Sequence, residues 1–303
     1  MRGQKSQPMP TSHKTIGVIG LGSIGMRHAK NLLAMGHQVR GYDTDMKKRL
    51  ALNGVLWNMG EVLDSDAVII ASPTPLHYLH VISAAEKGIP MLVEKPIADS
   101  CDDWLRDAIA HSSVMVGNNL RMHSCVKKAR EWLDAGLIGR PLWANFTLAQ
   151  FNDKYTDDVI LNWGAHELDL ARYLLGDCEV VAASHASGGI ADIILRHGNG
   201  CQTVVHLDYV TRPHLRVFRI VGSLGMIGIN LEKRTAFALG PEMNVLEMKI
   251  NPQPSGSWDD DYIEEMKAFL DLIDGKLVPH AATGEDGLAV LELILEAKRM
   301  AGI

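Results

Sequence analysis

Thr15-Ile16-Gly17-Val18-Ile19-Gly20-Leu21-Gly22-Ser23-Ile24-Gly25-Met26-Arg27-His28 is the stretch that decides the fold. An apolar run rich in β-branched residues meets three glycines spaced G-x-G-x-x-G, and Ala29 to Met35 continues at helical spacing. That order predicts strand, tight turn and helix. Gly20 takes the turn without a Cβ penalty, Gly22 lets the backbone approach a pyrophosphate, and Gly25 lets helix and strand pack closely. The helix start at Ser23 and Ile24 offers free N–H groups and a positive dipole end to phosphates. Downstream, Gln38-Val39-Arg40-Gly41-Tyr42 ends in Asp43, at the distance expected for a carboxylate that accepts hydrogen bonds from an adenosine ribose. The competing reading of Asp43 is a turn aspartate ahead of a helix starting near Met46.

Composition narrows the function classes. The chain has 303 residues, 47% of them hydrophobic, which predicts a substantial core and about two domains. A net charge of −6 with both signs interspersed argues against a nucleic-acid partner, because neutralising phosphates needs a clustered basic surface. Apolar runs fall well short of the roughly 20 residues of a membrane-spanning helix. Met1 to Lys14 is polar and holds Pro8 and Pro10, so it reads as a flexible tail and not as a secretory signal. Cys101, Cys125, Cys178 and Cys201 are widely separated and form no C-x-x-C pair, which predicts reduced thiols and a cytoplasmic location. No H-E-x-x-H occurs among the 13 histidines, and no structural metal is expected.

Strands and helices alternate through the first part of the chain. Helix is expected over Met46–Leu52, Tyr78–Lys87 and Asp103–His111, and buried strand over Asp66–Ala71, Pro90–Val93 and Val114–Val116. This is an α/β pattern with a doubly wound parallel sheet, whose ligands lie beyond the carboxyl ends of the strands. Ser72-Pro73-Thr74-Pro75-Leu76-His77 and Glu94-Lys95-Pro96 occupy such ends. The dinucleotide-binding domain is assigned to residues 15–121. The texture then changes. Helix is expected over Ser124–Ala135 and strand from Pro141 to Leu148. A hairpin follows over Ala191–Tyr209, with its turn at His197-Gly198-Asn199-Gly200, then strands over Leu215–Val221, Met226–Leu231 and Val245–Ile250. Helices over about Asp260–Ile273 and Glu285–Met300 close the chain. Residues 122–303 are assigned to an α+β domain with a large, open, mostly antiparallel sheet.

With Glu94-Lys95-Pro96 placed, the chain resembles the glucose–fructose oxidoreductase / inositol dehydrogenase / MocA family of NAD(P)-dependent oxidoreductases. The matching motifs run in order: Gly20-x-Gly22-x-x-Gly25-x-x-His28, Ser72-Pro73-x-x-x-His77, Glu94-Lys95-Pro96, Asn119-x-Arg121, Gly164-Ala165-His166-x-x-Asp169 and Gly222-x-x-Gly225. His206-Leu207-Asp208-Tyr209-Val210-x-Arg212-Pro213 is similar to members with sugar substrates. The resemblance implies hydride transfer to or from a sugar, cyclitol or related carbinol. It implies that the second domain binds substrate and that its sheet forms a homodimer or homotetramer. It also implies a cis bond between Lys95 and Pro96. The implied cofactor contacts add Ser72, Pro73, Thr74, His77, Glu94, Lys95 and Asn119 to Gly20, Gly22, Ser23, Ile24, Gly25 and Asp43. Asp43 favours NAD by repelling a 2′-phosphate, while Arg40, Lys47 and Lys48 leave NADP open.

Oxidising a carbinol needs a base for the hydroxyl proton and a positive group for the developing alkoxide. Lys95 and His166 suit these roles, and an imidazole titrates near neutral pH, which makes His166 the natural acid/base. His166, Asp169 and Tyr173 share one face of the helix expected over Trp163–Leu175. Asp169 either orients the imidazole or pairs with a cation such as Arg121 or Arg172. The sequence departs from the family pattern at Asn162, where an Asp is usual, and in the glycine pair replaced by Asp157-Asp158 nearby. An amide there donates and accepts without charge, which assigns Asn162 to substrate hydrogen bonding. Two other readings remain open: reduction of a non-sugar carbonyl or imine, and a catalytically silent nucleotide-binding regulator.

Overall fold

β1 (Thr15–Ile19) lies inside a six-stranded sheet and feeds α1 (Ser23–Ala34) through the glycine turn. The structure is a computed structural model and describes residues 13–152, 158–187, 189–242, 245–249 and 259–303. Residues 1–12 of the expected tail lie outside these. His13 and Lys14 are anchored: His13 Nδ1 lies 2.7 Å from the Gly36 carbonyl oxygen, and Lys14 pairs with Asp274 at 2.7 Å.

The chain continues through β2 (Gln38–Tyr42), α2 (Met46–Asn53), α3 (Met59–Leu63), β3 (Ala67–Ile70), α4 (His77–Glu86), β4 (Met91–Glu94), α5 (Asp103–Ala110) and β5 (Val114–Gly117). These five strands are parallel in the order β5-β4-β3-β1-β2. The chain switches sides between β1 and β3, and a doubly wound sheet opens its ligand crevice at that point. α3 escaped the sequence reading; its start is fixed by a capping box between Asn58 and Glu61.

The second unit begins with α6 (Ser124–Asp134) and β6 (Pro141–Ala149), followed by α7 (Val159–Asn162) and α8 (Gly164–Leu175). β7 (Cys178–Ala186), β8 (Ile190–His197), β9 (Gln202–Asp208), β10 (Leu215–Gly222), β11 (Met226–Asn230), β12 (Thr235–Leu239) and β13 (Val245–Lys249) complete it. The eight strands run in the order β13-β12-β11-β10-β6-β9-β8-β7, antiparallel except for the β6–β9 pair. Buried residues alternate along β8, placing Ala191, Ile193 and Leu195 on the inner face. That face packs with Leu168 and Ala171 of α8 and Val126 and Ala129 of α6 in one core.

The domain boundary needs correction. α9 (Asp259–Ile273), β14 (Ala282–Thr283) and α10 (Gly284–Ala301) follow the second sheet in sequence, yet β14 pairs antiparallel with β5 as the sixth strand of the first sheet. Met266 and Phe269 of α9 join Ile16 and Val18 on one face of that sheet. Leu288 and Leu291 of α10 pack on the other face with Val114 and Val116, while Val290, Leu293 and Ile294 sit in the second core. The last two helices therefore carry apolar surface that the first sheet covers, and α10 is shared between the two cores. Among the described residues no helix is long and apolar enough to cross a membrane.

Candidate active site

The glycine turn is built by close contact. Gly20 has φ +90°, and a Cβ there would lie 2.5 Å from the Ala71 carbonyl oxygen at the end of β3. A Cβ on Gly25 would stand 1.8 Å from the Gly20 carbonyl oxygen, so only glycine lets α1 approach. At Gly22 a Cβ would meet nothing within 4 Å. That open space in front of the α1 N-terminus, beside Ser23 and Ile24, fits a pyrophosphate. Asp43 stands next to it, accepting from the Leu21 and Asp45 amides at 2.8 Å each and from Lys48 at 3.3 Å. Burial opposes ionisation of Asp43, and these three donors outweigh it, holding the carboxyl below its usual value. Arg40 points elsewhere: it donates to the Glu61 and Asp64 carbonyls and lies over the Trp57 ring.

The Ser72–His77 loop ends β3, with Pro73 leading into a short 3-10 turn from Thr74 to Leu76. Ser72 Oγ is 2.9 Å from His80 Nδ1. His77, expected to hold the cofactor, is buried, and its ring nitrogens lie 2.7 Å from the Ser72 carbonyl oxygen and 2.8 Å from that of Pro96. It braces two loops. Glu94, also expected at the cofactor, accepts from His28 Nε2 at 2.6 Å. Glu265 of α9 joins them, so that a ring nitrogen and two carboxylate oxygens lie within 4.8 Å of one another. The bond between Lys95 and Pro96 is cis.

Lys95 leaves β4 into a cleft of about 260 Å³ that Asn119, Asn162 and His166 also line. The Lys95 ammonium donates to the Asn162 carbonyl oxygen at 3.2 Å and to its side-chain oxygen at 3.4 Å. Asn162 Nδ2 donates to the Tyr209 hydroxyl at 3.3 Å, and Tyr209 packs edge-on against Trp163 with centroids 4.2 Å apart. Asp158 fixes this corner by capping α7, accepting from the Ile160 and Leu161 amides; Asp157 lies outside the described residues. His166 sits in the first turn of α8, and its Nδ1 is buried without a hydrogen-bond partner among the described residues.

One sequence expectation changes here, and one open alternative is decided. Burial first, then the Lys95 and Arg216 charges, push the His166 imidazole well below its ordinary value, so it is neutral at pH 7 and does not titrate near neutrality. Burial also lowers Lys95 from the usual lysine range. Asp169 does not orient the imidazole: its carboxylate pairs with Arg121, the second of the two roles open to it. Arg27, His214, Arg216 and Tyr262 line the cleft and were missed. Arg216 becomes visible only through register, since it stands opposite Leu148 in the β10–β6 pair, and Leu148 lines the same cleft.

Residues 14–117 match the family model described as "Oxidoreductase family, NAD-binding Rossmann fold", and residues 126–228 match "GFO/IDH/MocA C-terminal domain". The chain belongs to the GFO/IDH/MocA family. This GFO/IDH/MocA protein is 31% identical to scyllo-inositol 2-dehydrogenase (NAD(+)) of Bacillus subtilis over 189 residues, a match that spans only 55% of each chain. It is 27% identical to myo-inositol 2-dehydrogenase of Thermotoga maritima over 94% of this chain and 95% of that one. A levoglucosan dehydrogenase solved with NADH shares the fold, with a TM-score of 0.84 at 19% identity over 96% of this chain and 97% of the other.

Proposed function

We propose that this protein is an NAD-dependent oxidoreductase that moves a hydride between nicotinamide and a carbinol or carbonyl carbon of a sugar, cyclitol or sugar derivative. The observation that carries the reading is the convergence of Lys95, Asn162 and His166, from β4, α7 and α8, on one cleft at the carboxyl end of the first sheet. When bound, nicotinamide supplies or accepts the hydride. Neutral His166 takes the hydroxyl proton of a carbinol, and the Lys95 ammonium stabilises the alkoxide that develops. Asn162 holds that ammonium through two oxygens and keeps a side-chain N–H for a substrate hydroxyl. In the reverse direction the same groups return the proton.

The preference for NAD rests on the ionised Asp43, which repels a 2′-phosphate, and on the engagement of Arg40 away from it. The relatives named for inositol dehydrogenation support the substrate class. A homo-oligomer is supported by the outer face of the second sheet, where Trp143, Ile194 and Phe237 are exposed. Four free cysteines support a cytoplasmic location. The test is nicotinamide absorbance with sugars, cyclitols and keto-sugars, NAD and NADP run separately, and His166→Ala as control. Turnover that disappears in the variant and is faster with NAD is expected. Firm NADH binding without turnover of any compound would replace the enzyme by a nucleotide-binding regulator.

A further inference from the structure

The cleft wall is lopsided in charge. Arg27, Lys95 and Arg216 line it together with His214, and among the described residues no carboxylate does. Glu167 is fully buried behind Arg216, accepting from Nε at 2.9 Å and Nη2 at 3.0 Å. That leaves Arg216 Nη1 with no hydrogen bond among the described residues. Among the described residues the hydrogen-bond partners of Lys95 are the two neutral oxygens of Asn162, at the position where the family pattern sets an Asp. His214 pairs with Glu232 at 3.1 Å through Nδ1, and its Nε2 is buried without a partner among the described residues. Arg27 is stacked on Tyr262, 4.7 Å from its ring centroid. Lys95 and the Nη1 edge of Arg216 thus face the cleft without accepting carboxylate oxygens among the described residues, two donors placed to receive an oxyanion.

We infer that the substrate is an anionic sugar or polyol, carrying a carboxylate or phosphate group that Lys95 and the free Nη1 edge of Arg216 receive in place of the missing carboxylate at position 162. The inference rests on the sugar-oxidoreductase reading above. An uncharged sugar offers Lys95 and the Nη1 edge of Arg216 only neutral acceptors, whereas an acid of the same size offers them a charged one.

The test is kcat/KM with NAD for matched sets: a neutral sugar, its uronic or aldonic acid and its phosphate ester. The expected result is a preference of about 10–100-fold for one of the charged members, the range for a charge-assisted hydrogen bond, with acid and phosphate told apart by which is preferred. Equal or better turnover of the neutral members overturns the inference and leaves the oxidoreductase reading standing. Asn162→Asp, nearly isosteric, is expected to shrink or reverse the preference, chiefly through KM for the charged member. Arg216→Met is paired with Glu167→Gln so that no buried carboxylate is stranded, and the double variant is expected to lose the preference too. Should no compound turn over although NADH binds, the oxidoreductase reading fails and the inference falls with it. Failure to bind NADH at all defeats the underlying reading as well.

Discussion

Arg121 and Asp169 meet through two hydrogen bonds, Nε to Oδ2 at 2.9 Å and Nη2 to Oδ1 at 2.6 Å, with both side chains buried. Arg121 also donates to Asp286 at 2.9 Å, tying the start of α10 to α8. Asp169→Asn is therefore expected to act on stability. Because Asp286 still holds Arg121, the cost is that of a weakened charge-assisted hydrogen-bond pair, about 1–3 kcal/mol, or a fall in Tm of roughly 2–10 °C. The shape of the kcat/KM profile against pH is expected to stay the same. A displaced pH profile with an unchanged Tm would place Asp169 on the imidazole after all.

His166 is buried beside Lys95 and Arg216 and is neutral through the physiological range. A base held in its neutral form loses activity only when it is protonated. The acid limb of kcat/KM in the free enzyme is therefore expected well below pH 6.5, not centred on it. His166→Ala is expected to lower kcat by about 100- to 10,000-fold, the range for a positioned acid/base. An acid limb at or above pH 6.5 would contradict the burial argument.

Gly22 and Gly25 separate cofactor contact from folding. Gly22 has φ −70° and open space where a Cβ would go, so Gly22→Ala is expected to keep the parental Tm while NADH binding weakens by about tenfold or more. Gly25→Ala drives a methyl against the Gly20 carbonyl oxygen and is expected to lower both. Isothermal titration with NADH and a melting curve on each variant distinguish the two. Equal losses in both variants would mean that Gly22 has a structural role of its own.

Glu265 gives the sharpest pH dependence of stability. Burial, with repulsion from Glu94 and Asp261 added, pushes its carboxyl well above the ordinary glutamate value of 4.5. The folded state then holds a proton that the unfolded chain releases. The stabilisation is complete below about pH 4.5 and is lost as pH rises through the folded-state value. Glu265→Gln cannot ionise, so its Tm is expected to exceed the parent's by several degrees at pH 8 and to converge with it toward pH 5. A difference that is independent of pH would rule this out.

Much of the first sheet was legible because its signals are local. The glycine spacing, Asp43 at the end of β2 and the short apolar strands are written in contiguous residues. β7 was missed because it is an edge strand whose residues are mostly exposed and carry little apolar alternation, and β12 is short. The assignment of α9 and α10 to the second domain failed for a different reason. Apolar periodicity states that a helix has a face to bury but does not name the surface that covers it. The site shows the same division. Lys95, Asn162 and His166 carry recognisable neighbours in sequence, whereas Arg216, His214 and Tyr262 enter the cleft by strand register and helix docking. The depressed titration of His166 is likewise a product of burial and of charges distant in sequence.

The late return of the chain to its first sheet has a consequence for biosynthesis. β5 ends at Gly117, and the strand that pairs with its free edge begins at Ala282. At a translation rate of about 5–20 residues per second, the ribosome takes roughly 10–30 s to make the residues between them. For most of that interval the nascent sheet lacks the cover of α9, for all of it that of α10, and β5 is an exposed edge of the kind that recruits other strands. The glycine turn and Asp43 are made first, but the floor they stand on is finished last.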